Sequence, residues 1–280
     1  MAFTQTFRDL RRVRLASFAA IVLGVTMATA VFAPWLAPYD PVKAKPWDSL
    51  QAPSRKYWLG ADRLGRDQFS RLIYGARVSL FIGVGGVSIA VTLGMVIGAV
   101  AGWHRGAWDE ILMRLMDGLS AFPSLLLALS LVAITGGSVL NIILVVGLVG
   151  IPWVARVVRS QVLSIREREF IVAIQGLGAT PVRIMLRHLI PNCLAPVIVQ
   201  ASLSVAAAIL LEASLSFLGV GVKPPTPTWG GMLRHAFETV GQAPWLTVSP
   251  GVAIFLVVLA FNFFGDALRD VLDPRLRGTR

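Results

Sequence analysis

Long apolar stretches separated by short polar segments dominate this chain. Apolar runs of ~20 residues are long enough to cross the roughly 30 Å hydrocarbon core of a bilayer as α-helices. The pattern predicts six such helices and hence an all-α polytopic membrane protein. Their expected bounds are 15–37, 78–102, 111–134, 139–158, 193–219 and 249–268.

The longest polar interruption in the hydrophobic half of the chain is residues 166–191, REREFIVAIQGLGATPVRIMLRHLIP. Its spacing predicts two short amphipathic helices. In the first helix, Phe170, Ile174 and Leu177 share one face. The second helix is expected to collect its apolar side chains on one face, namely Val182, Met185, Leu186 and Leu189.

A glycine-rich turn is expected between these two helices. Gly176 and Gly178 can end the first helix, because glycine adopts the left-handed conformation of a C-terminal cap without strain. Thr180 is expected to act as the N-cap of the second helix, with Pro181 at its first position. Pro191 is expected to end the segment.

The first apolar run follows an arginine-rich stretch, residues 1–14. With Ala28, Thr29 and Ala30 it could form a signal peptide cleaved after Ala30. We favour a retained membrane helix, because the apolar run exceeds the ~7–15 residues of a signal-peptide core.

A polar, proline-containing segment, residues 38–77, separates the first two predicted spans. Its second part predicts an amphipathic helix on the membrane surface, with Phe69, Leu72, Ile73 and Ala76 on one side. In the following span, glycines recur every four residues, which favours close approach of a neighbouring helix. These glycines are Gly94, Gly98 and Gly102.

Composition and charge agree with a membrane protein. The chain is 55% apolar and 15% charged, whereas a soluble domain is about a quarter charged. The net charge of +11 does not indicate nucleic-acid binding, since no basic face alternates with aromatic residues. Of the 26 Lys and Arg residues, 16 lie on the side that holds both predicted termini and 10 on the other. The positive-inside rule therefore favours cytoplasmic termini and a cytoplasmic 166–191 segment.

The sequence offers few candidates for catalytic, nucleotide-binding or metal-binding residues. No G-x4-G-K-[S/T] phosphate-binding loop is present, and the three histidines lie in different polar segments. The single Cys193 cannot form an internal disulfide. Glu212 lies inside a predicted span near its outer end. Such a residue could line an external vestibule, pair with an arginine, or cap backbone groups.

At residues 166–191 the chain resembles the EAA loop, E-A-A-x3-G-x9-I-x-L-P, of bacterial binding-protein-dependent ABC permeases. Aligned on Gly178, this chain reads V-A-I-Q-G-L-G-x9-H-L-I-P. Val172 replaces the usual glutamate, Ile174 the second alanine, and His188 the first apolar position.

Three further stretches resemble the same family, in family order. They are LGADRLGRDQFSRLIYGARVSL at 59–80, LEASLSFLGVGVKPPTPTWG at 211–230 and NFFGDALRDVLDPR at 262–275. The chain is thus similar, over nearly its whole length, to the C-type subunit of dipeptide, oligopeptide and nickel importers.

This resemblance implies the type I ABC permease fold, with six transmembrane helices and a cytoplasmic coupling-helix loop. It divides the chain into residues 1–77, with the tail, first span and outer segment, and a five-helix core, residues 78–280. The loop at 166–191 would seat in a cytoplasmic ATPase subunit. The residues expected to couple to the ATPase are Arg166, Glu167, Glu169, Phe170, Ala173, Ile174, Leu177, Gly178, Pro181, Arg187 and Pro191.

The resemblance also implies the partners and the location. Expected partners are a homologous second permease, two ATPase subunits and an extracytoplasmic solute-binding protein in the bacterial inner membrane. No cofactor is expected in this chain, because ATP and magnesium would bind the ATPase subunits. Glu212 is a candidate for the translocation pathway. The alternatives are an ion-coupled or passive transporter and a membrane-embedded enzyme. A transporter of that kind would be expected to show inverted repeats in its sequence. A membrane-embedded enzyme would be expected to place pairs of catalytic residues together within its spans.

Overall fold

The computed structural model describes residues 14–272. Helix α1 spans Arg14–Val31 and is followed by a short helix, α2, Ala33–Leu36. The arginines predicted to precede the first span, Arg8, Arg11 and Arg12, lie outside the described residues.

Four helices are long and apolar enough to cross a membrane. They are α3, Gln68–His104; α6, Val139–Arg166; the continuous helix Pro181–Phe217; and α11, Trp245–Leu272. Helices occur in all six regions predicted to span the membrane. The count of six is approximate, because α1 is shorter than the four long helices.

The third predicted span, 111–134, is not one straight helix. It consists of α4, Gly106–Ser120, and α5, Ser124–Thr135, which are bent by 88° relative to each other. Pro123 lies at the break and has extended backbone angles. Proline lacks an N–H and disfavours helical geometry in the residue before it, so the helix ends there.

The predicted surface helix at residues 69–76 is wrong. These residues form the first turns of α3, which runs through residue 77 without interruption. Ile73 and Ala76 are buried in this part of the fold. Asp67 caps the helix, because its Oδ2 accepts a hydrogen bond of 2.8 Å from the backbone N–H of Ser70.

Residues 38–67 form a folded polar segment beside the start of α3. The Asp48 carboxylate accepts hydrogen bonds from Lys56 Nζ at 2.9 Å and from the Tyr57 hydroxyl at 2.7 Å. These two donors lower the pKa of Asp48. Asp62 accepts a hydrogen bond of 2.7 Å from Arg66 Nε. Ion pairs and backbone hydrogen bonds therefore hold this segment in a defined shape.

The predicted close helix approach at the glycine series is confirmed, and the partner helix is α6. A Cβ added at Gly94 would lie 2.6 Å from Val154 Cβ, and one added at Gly102 would lie 2.9 Å from Val162 Cβ. These distances are shorter than carbon atoms tolerate, so only glycine allows α3 and α6 to pack at this separation.

Candidate functional site

The segment 166–191 contains two helices joined by a turn, as predicted. Helix α7 spans Glu169–Gly176, and α8 spans Pro181–Ile184. Gly178 lies in the turn with a φ of 80°, the left-handed region that glycine adopts without strain. Thr180 lies at the N-cap position of α8, but its side chain makes no capping hydrogen bond.

Pro191 does not end this segment, contrary to the prediction. Helix α8 continues through a π-helical turn, Met185–Leu189, into α9, Ile190–Phe217. A π turn changes which carbonyls accept backbone hydrogen bonds, and so it accommodates the missing N–H of Pro191. The segment is therefore joined to a membrane-spanning helix without a flexible connection.

Part of the segment is buried against the rest of the chain. Ile171, Ile184 and Leu189 are its buried side chains, and they pack with Trp103 of α3 and Ile165 of α6. Of these three residues of the segment, only Leu189 belongs to one of the predicted apolar faces. Their positions could not be read from periodicity, because apolar residues occur on more than one side of these short helices.

Five large apolar side chains of the segment are exposed. We call these five residues together the apolar patch: Phe170, Val172, Leu177, Val182 and Leu186. Phe170 and Val172 lie on different sides of α7, because residues two apart do not share a helix face. Leu177 is the most exposed of them, at 87%. Large exposed apolar patches on a folded protein mark interaction surfaces. The patch thus combines residues from both predicted faces, namely Phe170 and Leu177 from the first and Val182 and Leu186 from the second.

Polar contacts attach the segment to the end of α3. The Arg166 guanidinium donates a hydrogen bond to the Trp103 carbonyl oxygen and lies 5.3 Å from the centre of its ring. Glu167 pairs with Arg105, with 2.6 Å between Oε1 and the guanidinium nitrogen. These two predicted coupling residues therefore also fix the orientation of the segment within the chain.

The other predicted coupling residues lie mostly at the surface. Ile174 is half-buried and packs beside the core that contains Ile171. The exposed residues are Glu169, Phe170, Ala173, Leu177, Gly178, Pro181, Arg187 and Pro191.

Ion pairs also join α4 to α6 near the segment. The Arg159 guanidinium donates two hydrogen bonds to the Asp109 carboxylate, and the one from Nη2 to Oδ2 is 2.6 Å long. Arg156 Nη1 lies 3.0 Å from Asp117 Oδ1. Asp117 lies three residues after Arg114, a spacing that predicts an ion pair on one helix face. The structure shows Arg114 paired with Glu110 instead. Ion pairs therefore hold α4 against α6 at this end of the molecule.

Glu212 is fully buried in α9 at the opposite end of the spanning helices. Its carboxylate accepts a hydrogen bond of 3.1 Å from the Ser79 hydroxyl of α3 and one of 2.8 Å from the Ser216 hydroxyl. Within residues 14–272 no arginine or lysine pairs with Glu212, so the suggested ion pair is not present.

The hydroxyl residues of this cluster were not predicted. Ser79 is 133 residues from Glu212, and the cluster forms only when α3 and α9 pack together. It also includes helix α10, Trp229–Phe237, since the Trp229 backbone N–H lies 3.4 Å from Ser79 Oγ. Glu212 therefore joins three helices. Its place on the translocation pathway stays a prediction.

Across the region that the structure covers, no group of three or more His, Cys, Asp or Glu side chains has the arrangement of a metal site. The main feature of the candidate site is therefore a set of spanning helices with a rigidly attached, apolar surface at one end.

The sequence of the chain matches two models of known protein families. A family model described as binding-protein-dependent transport system inner membrane component matches residues 94–278, well over half of the chain. The chain belongs to this family. A second model, the N-terminal TM domain of oligopeptide transport permease C, matches residues 2–53 of the permease.

Individual relatives agree with the family models. The permease is 43% identical over 274 residues to the dipeptide transport system permease protein of Alkalihalophilus pseudofirmus, covering 98% of this chain and 90% of that protein. It is 42% identical over 273 residues to the glutathione transport system permease proteins of Escherichia coli and Shigella boydii. Each of these alignments covers 97% of this chain and 90% of the relative.

These matches confirm the predicted family and the type I ABC permease fold. The permease is a multi-pass membrane subunit of an ABC importer.

Proposed function

We propose that the permease forms half of the translocation pathway of an ATP-driven importer of peptides or related small solutes. The named relatives are permeases for dipeptides and for glutathione, which are both short peptides. Their similarity over nearly the full length of this chain supports a substrate of the same chemical class.

The observation that carries this proposal is the exposed apolar patch on a rigidly attached segment. Five apolar side chains in water cost free energy unless a partner covers them, at ~25 cal/mol per Å² of apolar surface. The segment presents them on short helices, and helices commonly dock through such faces into apolar grooves. We therefore place the ATPase subunit against this patch.

The connection to the membrane helices supports coupling through this contact. The patch is continuous with the helix Pro181–Phe217, and Ile171 and Arg166 anchor it to α6 and α3. A displacement imposed on the patch by the ATPase therefore moves packed helices as a body. Rigid-body movement of this kind underlies alternating access in transporters.

The remaining partners follow from the same proposal. A homologous second permease would supply the other half of the pathway, two ATPase subunits would bind ATP and magnesium, and a solute-binding protein would deliver the peptide. The chain would lie in the bacterial inner membrane with both termini in the cytoplasm. The excess of Lys and Arg on that side, 16 against 10, supports this orientation.

An ion-coupled or passive transporter is not favoured, because the family match is to a binding-protein-dependent system.

The proposal is tested by uptake into proteoliposomes that contain the permease with its partner permease and ATPases. The binding protein is added outside, with radiolabelled dialanine, pentaalanine or reduced glutathione. We expect at least one peptide to enter only when ATP is present on the ATPase side. Uptake that is independent of ATP, or driven by an ion gradient alone, would overturn the proposal.

A further inference from the structure

A cavity of about 300 Å³ lies at the end of the molecule opposite the apolar patch. It is enclosed by the start of α3, the end of α9, the connection 218–228 and α10. Its wall combines basic side chains with hydroxyl groups. These residues are Arg71, Lys223, Arg234 and His235, together with Ser216, Thr226 and Thr228.

Two of the cations at this cavity have no carboxylate partner. Neither Lys223 nor Arg234 forms an ion pair with any residue between 14 and 272. The carboxylate in the wall, Glu238, is 3.9 Å from Arg63, which lies outside the cavity. The exposed rim of the cavity therefore carries positive charge that the protein does not neutralise.

A buried cation adds to this charge. Arg71 is 4% exposed, donates a hydrogen bond of 2.8 Å to the Pro41 carbonyl oxygen, and lies 3.5 Å from the Asp62 carboxylate. Asp62 is closer to Arg66, at 2.7 Å. One carboxylate thus serves two guanidinium groups, which leaves a net positive charge behind the cavity wall.

The pKa of His235 is lowered by its burial and by nearby positive charge. Burial lowers its pKa first, and the neighbouring Arg66 and Arg71 lower it further. A lowered pKa keeps His235 neutral near pH 7, so its ring can donate one hydrogen bond without adding repulsion. The cavity therefore offers cationic and neutral donors to an anion.

The size and donors of the cavity fit a carboxylate. About 300 Å³ is at the lower limit of small-molecule sites, enough for the end of a peptide but not for a long one. Guanidinium groups bind carboxylates through two parallel hydrogen bonds. Dipeptides and glutathione, the solutes named for the relatives, each carry at least one carboxylate.

We propose that this cavity receives a carboxylate of the imported peptide as it leaves the binding protein. This inference rests on the proposed function as a peptide importer. Lys223 and Arg234 attract the carboxylate at the rim of the cavity. The buried Arg71 adds positive charge behind the cavity wall, which strengthens this attraction.

The cavity shares a residue with the buried carboxylate cluster. Ser216 lines the cavity and also donates a hydrogen bond to Glu212. Glu212 in turn accepts a hydrogen bond from Ser79 of α3. An anion bound in the cavity therefore contacts groups that join α3, α9 and α10.

The test compares an imported peptide from the uptake panel with the same peptide amidated at its C-terminal carboxylate. Each is supplied at a concentration that saturates the binding protein. We expect the wild-type complex to import the free acid about tenfold faster than the amide, the effect of about 1.4 kcal/mol. The double variant Lys223→Gln, Arg234→Gln is expected to import both at the rate of the amide.

A matched control replaces a cation outside the cavity. Arg55 is exposed on the 38–67 segment and does not line the cavity. Arg55→Gln is expected to keep the preference of the wild type for the free acid.

Several results would overturn the cavity proposal while leaving the proposed function intact. One is a double variant that still prefers the free acid as the wild type does. Another is equal loss of acid and amide uptake, which would indicate a docking surface for acidic residues of the binding protein. A third is a loss of uptake in the double variant that depends on the anionic lipid content of the vesicles and is the same for acid and amide. That result would indicate that the cavity binds a lipid phosphate. Absence of ATP-dependent uptake in the wild type would instead overturn the proposed function itself.

Discussion

Replacing Leu177 by aspartate is expected to weaken binding of the ATPase subunits by roughly 100-fold, because a carboxylate would be buried in an apolar contact. Leu177 is 87% exposed, so the substitution disturbs no packing within the permease. The measurement is the affinity of the purified permease complex for its ATPase in detergent, together with ATP-driven uptake. Both are expected to fall while the yield of folded permease stays unchanged.

Leu64→Asp is the matched control for this variant. Leu64 is also an exposed leucine, at 49%, but it lies in the 38–67 segment at the other end of the molecule. It is expected to bind the ATPase normally. A Leu177→Asp permease that binds its ATPase and transports as the wild type does would contradict the docking of the ATPase on the apolar patch.

Replacing Gly98 by alanine is expected to destabilise the permease by about 1–3 kcal/mol, the usual cost of inserting a carbon into a packed interior. A Cβ at this position would collide with the Ala155 carbonyl oxygen and lie 2.8 Å from Val158 Cβ. A carbonyl oxygen of the main chain cannot rotate away, so α3 and α6 must separate. Thermal unfolding in detergent is expected to show a midpoint lower by roughly 5 °C or more.

Gly24→Ala provides the comparison, because Gly24 also lies within a helix, α1, and a Cβ there meets no atom within 4 Å. It is expected to leave the unfolding midpoint unchanged or raise it slightly, since alanine favours the helix more than glycine does. Equal midpoints for the two variants would show that the contact between α3 and α6 does not depend on glycine.

The membrane helices were predictable from the sequence because bilayer thickness sets the length of an apolar run. The close approach at Gly94, Gly98 and Gly102 was predictable for a similar reason, since three small residues at fixed spacing define one helix face. The turn at Gly178 followed from local backbone preferences. Each of these features depends on residues that are close together along the chain.

The features that sequence reasoning missed depend on distant contacts. Ile171 was not among the apolar residues predicted to share a face, and it is buried because it packs with Trp103 of α3 and Ile165 of α6. The hydrogen bond from Ser79 to Glu212 likewise needs two helices far apart in sequence. A single sequence shows that a helix has apolar faces but not which of them its own protein covers.

The bend at Pro123 and the helix through Pro191 show a further limit. Both prolines suggest a break, and one helix ends while the other continues through a π turn. The outcome depends on whether neighbouring groups satisfy the freed backbone carbonyls, which the local sequence does not specify.

The proposed function requires that the 166–191 segment faces the cytoplasm and is covered there by an ATPase. The decisive measurement is labelling of Gln175→Cys with a membrane-impermeant maleimide, in a background where the buried Cys193 is replaced by alanine. We expect no reaction from outside intact spheroplasts, reaction after permeabilisation, and protection when the ATPase is bound. Arg55→Cys is expected to react from outside. Reaction of Gln175→Cys from outside would show that the segment lies on the external side, where no ATPase could bind it.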